Sequence, residues 1–134
     1  MALLLDSGIL FAYYDRTDHW HVQAQALLDA EETLVLPTPI LVETDYLLAT
    51  RVGRNAQLAL YEDLTLGVYP LYNLSPQGYQ RIYELNRQYP DLRLGFVDAA
   101  VIAIAEELGL NRIATTDRRH FGAVQARIPL TLLP

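Results

Sequence analysis

Cysteine and lysine are both absent from the 134 residues. Without cysteine there is no disulfide scaffold, no thiolate zinc site and no cysteine nucleophile, which fits a reducing compartment. Without lysine, all ten cations are arginines, and they face 16 acidic residues for a net charge of −6. Sequence-independent binding of nucleic acid rests on a basic surface that neutralises phosphates. A chain of this charge that handles nucleic acid must therefore use local arginines, metal ions or a basic partner. Long apolar runs are missing as well. No segment reaches the roughly 18 residues of a membrane span. The first apolar run, Ala2 to Leu5, stops at Asp6, too short for a signal-peptide core and with no basic flank before it. Repeats, low-complexity tracts and Gly/Ser/Pro-rich linkers are also lacking. What these absences leave is one soluble cytoplasmic domain over residues 1–134, and its 51% hydrophobic content suffices for a core without staples.

The apolar segments alternate in type. Ala2–Leu5 is a continuous run and reads as a buried strand, followed by a short helix over Ser7–Tyr14. Asp18 is placed to cap a helix through His21, Ala24, Leu27 and Leu28, and Leu34–Leu36 is a second strand closed by Pro37. Pro39 opens a helix carrying Ile40, Glu43, Leu47 and Thr50, and another spans Asn55–Leu64. Val68–Leu71 reads as a strand. Ser75-Pro76 is a cap followed by a first-turn proline, opening a helix to about Gln88. The clearest helix is Phe96–Leu108, with Val97, Val101, Ile104 and Leu108 on one face and Gly109 at its left-handed stop. Asn111–Thr115 and Ile128–Leu132 complete the strands. Short apolar strands separated by helices predict crossover connections and a mostly parallel sheet of about five strands in a three-layer α/β/α domain. Ligands of such sheets sit beyond the carboxyl ends of the strands.

Four carboxylates map to that edge. Asp6 ends the first strand, Glu43 lies early in the helix after the second, Asp98 lies in the first turn of the clearest helix, and Asp117 ends the strand after it. Singly, each has a structural explanation. An acid near a helix start gains about 0.3–1 kcal/mol from the helix dipole, and Asp117 also suits a turn. Asp6 is harder to explain so, because it interrupts two strongly apolar stretches. Together the four would repel one another unless cations share the site. An oxygen-only acidic set suits Mg²⁺ or Mn²⁺ rather than zinc, and two such ions about 3.5–4 Å apart suit hydrolysis of a phosphodiester.

Four stretches carry a family resemblance. They are Leu4-Leu5-Asp6-Ser7, Pro39-Ile40-Leu41-Val42-Glu43, Phe96-Val97-Asp98-Ala99-Ala100, and Ala114-Thr115-Thr116-Asp117-Arg118-Arg119-His120-Phe121. In order and spacing the chain resembles PIN-domain ribonucleases, most closely the VapC-type toxins of bacterial type II toxin–antitoxin pairs. The resemblance implies a PIN-like domain that cleaves RNA with Mg²⁺ or Mn²⁺ bound at Asp6, Glu43, Asp98 and Asp117. It implies that Ser7 and Thr115 are supporting hydroxyls. It also implies a VapB-like antitoxin partner and a homodimer, whose surface is expected to include the helices from Pro39 to Leu64.

Other residues fit this expectation less directly. Arg118 and Arg119 follow Asp117 and are candidates for phosphate contact or for neutralising the acids, whose repulsion is otherwise relieved by water or a proton. His19, His21 and His120 pair with no nucleophile, and His120 is expected only to pack or cap beside Phe121. Tyr13-Tyr14, Tyr79 and Tyr83 read as core or subunit-interface residues rather than as base-stacking ones. Two other functions are compatible with the acids. A phosphohydrolase using Asp6 as nucleophile, similar to haloacid-dehalogenase phosphatases, wants a second Asp two residues later, where this chain has Gly8. A catalytically silent PIN-like binding module has no need of all four acids.

Overall fold

The structure is a computed structural model and describes residues 2–30 and 33–134. Strand β1 (Ala2–Leu5) runs straight into α1 (Ser7–Tyr14), and α2 (His21–Ala30) is followed by β2 (Thr33–Pro37). Helices α3 (Pro39–Arg51) and α4 (Arg54–Thr65) lead to the two-residue β3 (Leu71–Tyr72). Helices α5 (Pro76–Gln88) and α6 (Gly95–Leu108) lead to β4 (Arg112–Ala114), and α7 (Arg118–Ala123) precedes β5 (Thr131–Leu133). The strands form one all-parallel sheet in the order β3-β2-β1-β4-β5, as the alternation of short strands and helices predicts.

The centre of the sheet is β1, where Leu4 lies beside Val35 of β2 and Ile113 of β4. Helices α1 to α4 pack on one another, and α5 to α7 form a second group in which α6 lies against β1 and β2. Leu3, Leu4 and Leu5 consequently have no exposed surface, which is why β1 is an unbroken leucine run rather than an alternating one. Truncating Leu4 to alanine at this position would cost about 2–5 kcal/mol. From β1 the chain moves outward to β2 and β3, then returns to β1's other flank at β4. The strand order thus reverses beside β1, and the crevice beyond the ends of β1 and β4 is the favoured ligand position in such a sheet.

The helix boundaries follow local chemistry. Ser75 accepts the Gly78 N–H at 3.0 Å, and Pro76 sits in the first turn of α5. Helix α6 stops at Gly109, whose φ of 66° is left-handed. Its burial is wider than the single face predicted from spacing. Every residue from Ala99 to Ala105 is buried, whereas Leu108 is 37% exposed. The alanines let the sheet and α5 approach α6 from different sides.

Two strands are shifted from the expected ranges, each by a proline. Val68–Leu71 is replaced by Leu71–Tyr72, because Pro70 has no N–H for a ladder and Tyr69 is buried with its hydroxyl 2.6 Å from that of Tyr14. Pro129 likewise falls inside the predicted Ile128–Leu132, and pairing begins only at Thr131. The six-residue α7 was not expected. It forms because Asp117 caps it, accepting the His120 N–H at 3.1 Å.

Candidate active site

The four acids converge. Asp6, Glu43, Asp98 and Asp117 all line one cavity of about 400 Å³ at the carboxyl edge of the sheet, with Ser7, Gly8, Thr116 and the segment Leu94–Val97 completing its wall. Each arrives by a different route. The end of β1 delivers Asp6, whose N–H is held by the Ala114 carbonyl of β4 at 3.0 Å. Glu43 extends from α3, Asp98 from the first turn of α6, and Asp117 from the cap of α7. Gly8 keeps α1 close to the β4–α7 connection, since a Cβ there would lie 2.5 Å from Thr116 Oγ1.

Asp6 occupies the N-cap position of α1, yet its side chain makes no cap hydrogen bond. Its Oδ2 instead accepts the Thr115 hydroxyl at 2.8 Å, and its buried Oδ1 has no partner at all. A 97%-buried carboxylate, 3% exposed, with an unpartnered oxygen is costly. Burial, followed by the nearby charge of Asp98, pushes the Asp6 carboxyl up to about 7. Burial also raises Asp98, aided by the charges of Asp117 and Glu43 and opposed by His120. The two hydroxyls expected to support the site do contact it. Ser7 Oγ donates to Glu43 Oε1 at 2.5 Å, and Thr115 bridges the strand ends by donating to Asp6 and accepting the Asp117 N–H at 2.9 Å.

His120 is the residue that sequence reasoning placed wrongly. Its N–H is held by the Asp117 cap rather than being a cap itself, and its ring does not simply pack beside Phe121. Nδ1 lies 2.5 Å from Asp98 Oδ2 and 3.1 Å from Asp117 Oδ2, so the imidazole bridges two of the four acids. The usable signal was the Asp-x-x-His spacing, which sets a helix cap and the third helical residue on one side of the turn. Arg118, expected to relieve the acidic repulsion, turns away and donates to the Pro134 carbonyl, and Arg119 is exposed. Neither lines the cavity.

The donor set fits a hard divalent cation. Four carboxylates meet without a lysine or arginine in the cavity wall, and the orphaned Asp6 Oδ1 is an acceptor awaiting a partner. Asp98, Asp117 and His120 also bring one ligand atom each within 4.8 Å of one another.

Comparisons with known proteins bear on the family and the fold. A profile described as "PIN domain" matches residues 3–126. Ribonuclease VapC26 of Mycobacterium tuberculosis (strain ATCC 25618 / H37Rv) is 33% identical over 124 residues, covering 92% of this chain and 92% of that protein. Among solved structures, Mycobacterium tuberculosis VapC20, described as a sarcin-ricin loop cleaving toxin, superposes with a TM-score of 0.81 at 20% identity, over 95% of this chain and 98% of that one. VapBC2 from Rickettsia felis, solved bound to a DNA fragment from its promoter, gives 0.73 at 16% identity over 100% of both chains.

Proposed function

Since this chain belongs to the PIN-domain family, we propose that it is a divalent-metal-dependent endoribonuclease and the toxin of a type II toxin–antitoxin pair. The observation that carries the proposal is the gathering of four carboxylates from distant parts of the chain around one cavity, one of them buried with an unpartnered oxygen. Asp6, Glu43, Asp98 and Asp117 would hold Mg²⁺ or Mn²⁺. When bound, such an ion supplies Lewis acidity and a more acidic water for phosphodiester hydrolysis.

The chain's own residues prepare for this. Thr115 and Ser7 fix the orientation of Asp6 and Glu43 through the hydrogen bonds they donate. His120 keeps Asp98 and Asp117 side by side. Arg118 and Arg119, exposed on the next turn, are candidates for the phosphates flanking the cleaved bond. The likeness to VapBC2 from Rickettsia felis supports a VapB-like antitoxin as partner, and the cytoplasm is the proposed place of action. Among the described residues, no helix is long and apolar enough to cross a membrane. A second copy of the chain is the proposed occupant of the α3–α4 face, where Val42 is 80% and Tyr46 66% exposed, with Leu58 and Tyr61 nearby in sequence on α4.

The test is cleavage of a fluorescent RNA by the purified chain. Activity is expected with Mg²⁺ or Mn²⁺, loss with EDTA, and recovery when either ion is returned. Cleavage at an unchanged rate in EDTA would sink the metal-dependent reading. Light scattering that gives a 15.2 kDa species at micromolar concentration would remove the dimer.

A further inference from the structure

Phe96 faces two cavities. One is the acidic cavity, and the other, of about 310 Å³, is lined by Thr38, Pro39, Asn73, Leu74, Tyr79 and Phe96. Thr38 and Asn73 follow the ends of β2 and β3, so this second cavity lies along the same sheet edge as the acids. Its aromatic wall is not part of the core. Tyr79 is 57% and Phe96 50% exposed, and their ring centroids lie 6.3 Å apart. Of the expectation that Tyr79 is a core or subunit-interface residue, the core half is therefore corrected. The polar part of the lining is one hydrogen-bonded pair, in which Thr38 Oγ1 donates to Asn73 Oδ1 at 2.7 Å. That bond uses the amide's oxygen and leaves its N–H pair to donate elsewhere.

On the reading that the acids act on RNA, we propose that this cavity receives the nucleobase of a nucleotide adjoining the scissile phosphate, stacked on Phe96 and Tyr79 with the Asn73 amide at its edge. A phosphodiester in the acidic cavity carries a sugar and base on either side, so a base must lie within one nucleotide of Phe96. Stacking also answers a problem of charge. A chain of net charge −6 with no lysine has little to gain from counterion release, whereas aromatic faces bind bases without charge. The concave aromatic wall with one amide matches a planar heterocycle with a polar rim, and Phe96, which lines both cavities, sets this one beside the acidic cavity.

The test compares single-stranded RNA with the same RNA made abasic at one nucleotide beside the cleavage position, which is first mapped with the wild-type protein. Affinity is read by fluorescence anisotropy with Ca²⁺ replacing Mg²⁺, and KM is read in Mg²⁺. For the wild type, removing the base is expected to weaken binding and raise KM about tenfold. Phe96→Ala and Tyr79→Ala should each show a similar loss with the intact RNA and little further loss with the abasic one. Phe96→Tyr and Tyr79→Phe keep an aromatic face and should retain the preference for the intact RNA over the abasic one, whereas Tyr83→Ala, one turn further along α5, should behave as wild type. If the wild type cleaves both RNAs with equal KM, the base pocket is wrong and the nuclease reading stands. If the alanine variants halve the mass in light scattering, a second copy covers this face and the proposal is overturned. A wild type that stacks the base but never cleaves would instead overturn the nuclease reading.

Discussion

Helix α6 carries carboxylates near both ends, and two of them, Asp98 and Glu106, are treated in opposite ways. At its carboxyl end, Glu106 receives a bidentate pair from Arg81, at 2.8 and 3.0 Å, and the Arg127 N–H at 2.7 Å. Burial pushes Glu106 up, but those hydrogen bonds and charges override it and hold its carboxyl below the usual range. At the amino end, Asp98 faces Asp117 and Glu43 with only His120 to offset them, and its carboxyl is raised. Burial of the side chains does not separate the two, because Glu106 is 7% and Asp98 17% exposed. The cation does. A carboxylate that the fold supplies with an arginine is structural, whereas a set of carboxylates left without one is prepared for something the chain does not contain.

The largest effect is expected where the charge is unmatched. Asp98→Asn keeps the shape and one hydrogen-bonding oxygen but removes a full charge facing the other acids. Cleavage of RNA should fall by at least ~10³-fold, about 4 kcal/mol of barrier, because affinity for a hard cation depends on that charge. Thermal melts should show the fold intact. Near-wild-type cleavage would reduce Asp98 to a dipole partner of α6, and outright unfolding would make it structural, like Glu106.

The matched end should respond in the opposite sense. Arg81→Ala leaves Glu106 buried with only the Arg127 backbone and charge, and the cost is expected to be about 3 kcal/mol in urea unfolding. Cleavage per folded molecule should change little, since Arg81 does not line the acidic cavity. A stable Arg81→Ala protein that has lost activity would show that the two ends of α6 are coupled, and the comparison would fail.

Much of this contrast was legible in the sequence, but unevenly. The interruption of leucines by Asp6, the positions of Asp98 and Asp117 around a helix and strand, and the parallel alternation of elements are local patterns, and the structure follows them. The pairing of Arg81 with Glu106 joins residues 25 apart through the packing of α5 on α6, which no local pattern encodes. His120 was missed for a different reason. Its backbone role as the third residue of a capped turn is local, but the direction of its ring is set by Asp98, 22 residues earlier on another helix. The strand boundaries at β3 and β5 were misplaced although Pro70 and Pro129 announced them, because apolar runs outweighed the missing N–H groups.

The smallest expected effect is thermodynamic and concerns pH in EDTA. Asp6 is raised from 3.8 to about 7 in the folded chain, chiefly by burial and then by the charge of Asp98. Between those values the folded form holds a proton that the unfolded form has released. Stability should therefore fall as pH rises through this window, by roughly 2–3 kcal/mol between pH 5 and 8 if Asp6 acts alone. Glu106 has the opposite sign. Its lowered carboxyl contributes stability that is present above its unfolded pKa and lost only as the solution is made strongly acidic. The acidic cavity and the carboxyl end of α6 should thus fail at opposite ends of the pH range. Urea unfolding of the wild type and Asp6→Asn at pH 5 and pH 8 separates the contributions, since the substitution removes the neutral-range loss and leaves the acidic one. Saturating Mg²⁺ should flatten the same window in the wild type, because a cation beside Asp6 favours its charged form. A wild type that is equally stable at pH 5 and 8 in EDTA would mean that the buried Asp6 carboxyl does not take up a proton on folding, and the contrast with Glu106 would lose its neutral-range half.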